Sequence, residues 1–303
     1  MTHIFIVNPF AGTGVFADEL RAELEQIPKL NYYIFSTRYR GDEEKLIARV
    51  LDIFEGEELR FYVCGGNGTL HHVLNGFENF ENVQIAFYPC GFSNDFLKCF
   101  GDDADRFRNI QELINGDVID VDYIQTNHCK ALNSFTIGLD GDVVSHFNKM
   151  NPSTMRGKNF GLLWSIFAGS LSYRPNDLDI RIDGFHIQDF CSELALFNGS
   201  SLANLFNFEE KPNISDGLAF FFVLPPLGRF KLLKLLHMLA TKGIKTLQNS
   251  GKSTHTSKMT VRSRLNIPLL VNIDGEIYPN ETSWEVVVVR KGLKMVVPKG
   301  VKA

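Results

Sequence analysis

No stretch of the 303-residue chain is apolar for the about 18 residues that a membrane-spanning helix needs; Leu218 to Leu224 is a run of seven and stops at Pro225-Pro226. A membrane, if the chain meets one, is met from its surface. There is no excess of positive charge either: 31 basic residues stand against 35 acidic ones, a net charge of −4. That balance speaks against nucleic acid as a partner and makes any attraction to phosphate or membrane local. The five cysteines, Cys64, Cys90, Cys99, Cys129 and Cys191, are odd in number and form no C-x-x-C pair, and nothing resembling a signal peptide precedes Ile4. The expectation is a reducing cytoplasm. Internal repeats and low-complexity tracts are absent as well.

What is present is an ordinary folded composition, 44% hydrophobic and 22% charged, in a length that suits two domains. Strands and helices alternate at first: strand His3–Val7, helix Ala17–Gln26, strand Tyr32–Ser36, helix Glu43–Phe54, strand Arg60–Val63, helix Leu70–Phe77, strand Gln84–Tyr88. Residues 1–121 are therefore expected to form an α/β domain, a parallel sheet covered by helices on both faces. From about Val121 the pattern changes to short β runs, at Val118–Ile124, Cys129–Ile137, Leu178–Ile182, Ile187–Ala195, Leu218–Val223, Lys258–Ile267, Leu269–Ile273 and Trp284–Arg290. These predict an antiparallel, β-rich sandwich over residues 122–291, interrupted by helices at Asn159–Ser172 and Phe230–Leu247. Leu293–Val297 is apolar enough to pack back on the first domain, which assigns 292–303 to it.

In parallel sheets ligands sit beyond the carboxyl ends of the strands. Three glycine-bearing loops leave those ends: Asn8 to Gly14, Gly65 to Thr69, and Pro89 to Phe96. The second is the most informative. An apolar strand ending at Val63-Cys64 runs through Gly65-Gly66-Asn67-Gly68-Thr69 into a helix whose Leu70, Val73, Leu74 and Phe77 recur at i, i+3, i+4 and i+7. Glycines remove side chains where backbone must approach a ligand and allow positive φ, and Thr69 is placed to cap the new helix. Unpaired amides and the helix dipole would then favour an anion at this corner. A tight βα turn without a ligand reads the same way.

Four motifs stand in order: Asn8-Pro9-Phe10-Ala11-Gly12, Gly65-Gly66-Asn67-Gly68-Thr69, Gly91-Phe92-Ser93-Asn94-Asp95-Phe96 and Asp274-Gly275-Glu276. With these the chain resembles the diacylglycerol-kinase-like lipid kinases, whose marks are N-P-x-x-G, G-G-D-G-T, G-T-x-N-D-F and a late D-G-E. Sphingosine kinases and, more distantly, NAD kinases and phosphofructokinases belong to the same superfamily. Thr37 before Gly41-Asp42, Asp122, and Ser215-Asp216-Gly217-Leu218 extend the likeness nearly end to end, and Asn94-Asp95-Phe96 favours the lipid-kinase branch. The resemblance implies a Rossmann-like, NAD kinase/diacylglycerol kinase-like first domain that binds ATP. It also implies a second domain that completes a lipid-binding cleft, with Mg²⁺ as cofactor and a diacylglycerol-like lipid as substrate.

Phosphoryl transfer is mostly positioning plus charge neutralisation. On the resemblance, Gly65, Gly66, Asn67, Gly68, Thr69, Gly91 and Asn94 would cradle the nucleotide phosphates, with Asn8 and Thr37 lining the same crevice. Turn bonding and capping are the alternative roles of Asn8 and Thr37. Glu276 would be the general base, poised by Asp122, and Asp95 would organise Mg²⁺ and the phosphates, although an Asx turn would equally place an acid at position 95. Asp216 matches an acidic turn that holds a second, structural Mg²⁺ in relatives, and Asp-Gly is also a common plain turn.

Residues 230–247 carry Leu232, Leu235, Leu236 and Leu239 on one stripe and Lys231, Lys234, Lys242 and Lys245 elsewhere, which suits an anionic membrane surface or a helix covering a sheet. Met155, Phe160, Leu163, Trp164 and Phe167, flanked by Arg156 and Lys158, read as a lid over a lipid tail or as core. His71 and His72 read as helix-surface residues and the cysteines as small buried hydrophobes. An exposed edge of the second sheet could pair two chains into a homodimer.

Two departures from the family pattern matter. Asn67 replaces an aspartate, keeping its shape without its charge, and Phe92 replaces a threonine. They set a second expectation beside the first: a catalytically weak or silent nucleotide- or lipid-binding homologue. Because a hard cation prefers charged oxygen ligands, Asn67→Asp is expected to raise Mg²⁺-dependent ATP turnover, measured as ADP release; a flat response would show the position is not linked to metal.

Overall fold

Consecutive apolar residues suit strands covered on both faces, and residues 59–65, buried at every position, are the extreme case. A computed structural model of the chain describes residues 1–11, 16–91, 93–150, 155–202, 206–207, 212–242 and 250–302. The chain divides into two units, Met1–Val121 with Lys291–Ala303, and Asp122–Arg290.

The first unit contains β1 (Thr2–Val7), α1 (Phe16–Leu24), β2 (Tyr32–Ser36), α2 (Asp42–Ile53), β3 (Leu59–Gly65), α3 (Asn67–Asn75), β4 (Val83–Pro89), a 3-10 segment (Asp95–Arg108), α4 (Ile110–Ile114) and the start of β5 (Asp117–Thr126). Its strands run in the order β2-β1-β3-β4, all parallel, and Met295 and Val296 of the last strand add alongside Ile85 and Ala86. Val7 lies opposite both Ser36 and Cys64, and Cys64 opposite Tyr88, so the strands end level and their loops leave from one edge. Beneath that edge the ring of Phe5 stacks on Tyr62 with centroids 4.3 Å apart, and Phe61 meets Phe77 edge-on at 5.0 Å. Buried Arg60 donates to Gln84 Oε1 and to the carbonyls of Leu113 and Ile114, satisfying the end of α4.

The second unit continues through β6 (Lys130–Ala131), β7 (Ser134–Gly138), α5 (Leu139–Met150), α6 (Met155–Ser172), β8 (Asn176–Ile182), β9 (Phe185–Cys191), β10 (Glu193–Phe197), β11 (Ser201–Leu202) and β12 (Phe206–Asn207). It ends with β13 (Ala219–Leu224), α7 (Arg229–Lys242), β14 (Lys252–Thr256), β15 (Lys258–Ser263), β16 (Leu269–Ile273), β17 (Glu276–Glu281) and β18 (Ser283–Val297). One antiparallel sheet runs β14-β13-β10-β7-β16-β17, and the early part of β18 joins β15, β8 and β9 in another. Alternate residues of both form one core: Ile180, Val261, Trp284 and Val286 from one sheet, Phe135, Leu194, Phe221 and Val271 from the other. The architecture is an α/β unit followed by a β-rich sandwich.

Several boundaries differ from the sequence expectation, each for a local reason. The run Cys129–Ile137 is broken into β6 and β7, because the amides of Leu132, Asn133 and Ser134 donate to the Asp274 carboxylate at 2.7, 3.0 and 2.7 Å instead of to a strand. Ile187–Ala195 is two strands, parted at Ser192, whose amide goes to Leu224 and whose carbonyl accepts from Leu139. The strand from Lys258 stops at Ser263, where Asn266 turns back with φ 54° and Ile267 N–H donates to Ser263 Oγ. Helix α5 and strands β14 and β17 were not foreseen.

Helix α7 covers a core with Leu232, Leu235 and Leu239 while Lys231 and Lys234 face water; residues 243–249, Lys245 and Leu247 among them, lie outside the described residues. The α6 stripe behaves differently. Phe160, Leu163, Trp164, Phe167 and Leu171 are between 42% and 65% exposed, while Leu162, Ser165 and Ser170 are buried, so the stripe is not core. The side chains of Met155, Arg156 and Lys158 lie outside the described residues.

The first turn of α5 is held by acids. Asp140 Oδ2 accepts from Thr136 Oγ1 at 2.7 Å and from Asn272 Nδ2, and Asp140 N–H donates to Glu193 Oε2 at 3.0 Å. Glu193 Oε1 is buried and has no hydrogen-bond partner among the described residues. Burial first, and Asp140 second, push the Glu193 carboxyl well above the usual range. A carboxyl raised in the folded state holds its proton longer there than in the unfolded chain, so stability is full below the unfolded value and falls as pH climbs above it. Each tenfold rise in proton affinity costs about 1.4 kcal/mol above that window. Glu193→Gln should therefore raise Tm at neutral pH and leave it unchanged near pH ~4; a pH series of thermal melts checks both ends.

Candidate functional site

The level edge of the first unit brings three loops into contact. In the first, Asn8 N–H donates to the Cys64 carbonyl, its Oδ1 accepts from Phe10 N–H at 2.9 Å, and its Nδ2 donates to Thr69 Oγ1 at 2.9 Å. Asn8 is thus both a turn residue and a bridge to the second loop, while Gly12 lies outside the described residues. In the second loop, Gly65 ends β3 and its carbonyl accepts from both Cys90 and Gly91 of the third, at 2.8 and 3.0 Å.

The glycines serve close approach and not positive φ, since none of Gly65, Gly66, Gly68 or Gly91 is left-handed. A Cβ on Gly91 would sit 2.3 Å from Gly66 Cα, and one on Gly65 would sit 2.4 Å from Thr69 Cβ. Helix α3 begins three residues earlier than its apolar periodicity suggests, at Asn67, with extended Gly66 as its N-cap and no side-chain cap. Thr69 therefore does not cap the helix, and its hydroxyl accepts from Asn8 instead. The amides of Asn67, Gly68 and Thr69, in the first turn, have no intrahelical partner and carry the positive end of the helix dipole. This is a ready cradle for phosphate oxygens.

In the third loop, Asn94 Nδ2 donates to Gly91 O at 3.3 Å, and its buried Oδ1 has no partner among the described residues. Phe92 lies outside them. Asp95, 3% exposed, opens the 3-10 segment. Its Oδ2 accepts from Asn67 Nδ2 at 2.7 Å and from the Ser93 hydroxyl, and its N–H donates to Asn67 Oδ1 at 3.2 Å. This answers whether a bound Mg²⁺ suits these residues. The arrangement does not favour one: Asn67 turns donor hydrogens toward Asp95, and Asp95 Oδ2 already holds two donors. Among the described residues no three His, Cys, Asp or Glu side chains gather as a metal group.

Thr37 is buried beside the same edge, its N–H donating to Val7 O at 2.9 Å, and it does not cap α2, whose N-cap is left-handed Gly41. His71 corrects the surface reading, being 0% exposed, because α3 packs against both β3 and α2; His72 pairs with Glu44 at 3.0 Å. Cys64 and Cys90 are poor nucleophiles, since burial pushes both thiols up, Cys90 to about 12.

The remaining acids lie in the second unit. Asp122, 0% exposed, accepts from Gly217 N–H at 2.6 Å through Oδ2 and from Asn198 Nδ2 through its carbonyl, so it fixes the 215–217 turn. Asp216 Oδ1 accepts from Leu218 N–H at 2.9 Å, an Asx-type turn. Asp274 and Gly275, with φ 52° and 94°, form the two-residue hairpin turn between β16 and β17, and Glu276 follows as the first, half-buried residue of β17. Sequence reasoning missed the structural work of Asp274, although Asp-Gly between apolar runs is a hairpin signal that would have revealed β17.

Against known proteins, the family model described as the diacylglycerol kinase catalytic domain matches residues 2–126. YtlR of Bacillus subtilis, which bears a lipid kinase name, is 35% identical over 104 residues, 33% of each chain. The diacylglycerol kinase of Staphylococcus carnosus is 25% identical over 312 residues, covering 98% of this chain and 95% of its own. A crystal structure of a diacylglycerol kinase from Bacillus anthracis shares the fold with a TM-score of 0.68 at 19% identity, covering 98% and 96% of the two chains. With a diacylglycerol kinase catalytic-domain match over residues 2–126 and a relative aligned along nearly its whole length, the chain is similar to the diacylglycerol kinases.

Proposed function

We propose that the protein transfers the γ-phosphate of ATP to a hydroxyl of diacylglycerol or a related lipid. The observation that carries this reading is the amide cradle at the start of α3, held at the edge of a parallel sheet by contact between Gly66 and Gly91. Helix-start amides neutralise phosphate charge with fixed dipoles, so little reorganisation is needed as charge shifts in the transition state. Asn8, Thr69, Gly91 and Asn94 frame the nucleotide, and Thr37 borders it.

The lipid hydroxyl oxygen attacks the γ-phosphorus, the bond from that phosphorus to the β,γ-bridging oxygen breaks, and ADP leaves with the bond's electron pair. The hydroxyl proton passes to the Glu276 carboxylate. Asp122 is the positioning residue that poises Glu276 on this reading, and it also anchors the 215–217 turn. A silent binding protein is the second reading, favoured by the turning of the Asn67 amide onto Asp95. Comparing ATP consumption with and without mixed lipid extract, across several divalent metals, separates the two: nucleotide binding without lipid-stimulated turnover supports the second.

The lipid arrives from a membrane surface on this reading. The exposed α6 stripe supports it, as does the charge of α6 and α7, whose sequences contain six basic residues and no acidic one in a chain of net charge −4. Such a composition suits an anionic bilayer reached from the cytoplasm.

Glu276→Gln should lower kcat by about 10²–10⁴ while the Kd for ATP stays within about twofold; undiminished turnover removes Glu276 from the base role. Trp164→Glu should weaken cosedimentation with vesicles containing phosphatidylglycerol by about tenfold and leave turnover of a detergent-dispersed, short-chain lipid unchanged. Equal sedimentation of both proteins would place the membrane contact elsewhere.

A further inference from the structure

The cluster of Asn67, Asp95 and Ser93 has a geometry that fixes its own chemistry. A backbone N–H can only donate and a carboxylate only accepts, so the Asn67 amide has one orientation: Oδ1 toward Asp95 N–H at 3.2 Å and Nδ2 toward Asp95 Oδ2 at 2.7 Å. Ser93 donates to that same carboxylate oxygen, and Asn67 Nδ2 reaches Ser93 Oγ at 3.4 Å. The residues joined are 28 positions apart and belong to the second and third loops, whose backbones already touch at Gly66 and Gly91.

We infer that Asn67 and Ser93 form a cation-independent latch on Asp95, occupying the place where two carboxylates would need a divalent ion between them. Asn67 is then a positioning residue, and Asp95 is not a metal ligand in this chain. An aspartate at position 67 could keep the bond from Asp95 N–H, but its second oxygen would face Asp95 Oδ2 with no proton between them. Two carboxylates in contact repel unless a cation or a proton joins them, so one substitution should convert the latch into a cation site.

The inference concerns the nucleotide-free protein and holds whether or not it is a kinase, so the tests need no turnover. Mn²⁺ uptake by the full chain, followed by electron paramagnetic resonance without nucleotide, should be equally weak for the wild type and for Asp95→Asn. Asn67→Asp should bind one Mn²⁺ at least about tenfold more tightly than either. In thermal melts, Asn67→Asp should lose about 4 °C in chelator and regain it with millimolar Mg²⁺, Asn67→Ala should lose stability without regaining it, and the wild type should not respond to Mg²⁺. A purely space-filling role for Asn67 would leave all of these melts indifferent to cation. Tighter Mn²⁺ binding by the wild type than by Asp95→Asn overturns the inference, and that comparison stands even where Asn67→Asp fails to fold. So does an Asn67→Asp protein that melts identically with and without Mg²⁺.

Discussion

The arrangement of the phosphate corner depends on how closely two backbones approach. Gly66 and Gly91 leave no space for a β-carbon between the second and third loops, and the Gly65 carbonyl takes the amides of both Cys90 and Gly91. With the loops locked at that distance, the side chains around them have few choices. Thr69 lies against Gly65 and meets Asn8, and Asn67 reaches Asp95. The first amides of α3 are left pointing away from the sheet edge, where only an anion or water can satisfy them. The corner is preorganised by packing more than by charge, which suits a site whose own side chains contribute few net charges.

The second unit uses acids as structural joints. Asp274 gathers three successive amides and so decides where a strand breaks; Asp122 anchors a turn across 95 positions of sequence; Asp140 and Glu193 hold the start of α5 to the sheet. Each takes up backbone or side-chain donors that burial would otherwise leave unpaired. Glu193 shows the cost of the device, since its second oxygen is buried without such a donor.

The division into an α/β unit and a β-rich sandwich was readable because burial alternates or repeats in ways the sequence displays, as in β3, apolar on both sides of Arg60, and the alternating residues of β8 and β15. Boundaries were less readable wherever a side chain competed for the backbone. Nothing local to Leu132–Ser134 announces that residue 274 will claim its amides, and Asp140-Gly141-Asp142 has the composition of a turn yet forms the first turn of α5. At the corner, the glycines marked which loops matter. The partner of Asn67 was hidden by its distance along the chain, and the burial of His71 by a helix packed on two sides.

One further feature bears on how the protein comes to be made. The parallel sheet of the first unit borders β4 on one side with β3 and on the other with residues 295–296, which are synthesised after the entire second unit. A ribosome therefore releases β4 as an open edge, and that edge stays unpaired until some 200 further residues have emerged, about 10–40 s at ordinary elongation rates. An unpaired strand edge invites the wrong partner. Translation thus imposes an interval of exposure on this protein, and slower synthesis lengthens the interval in which β4 waits for its neighbour.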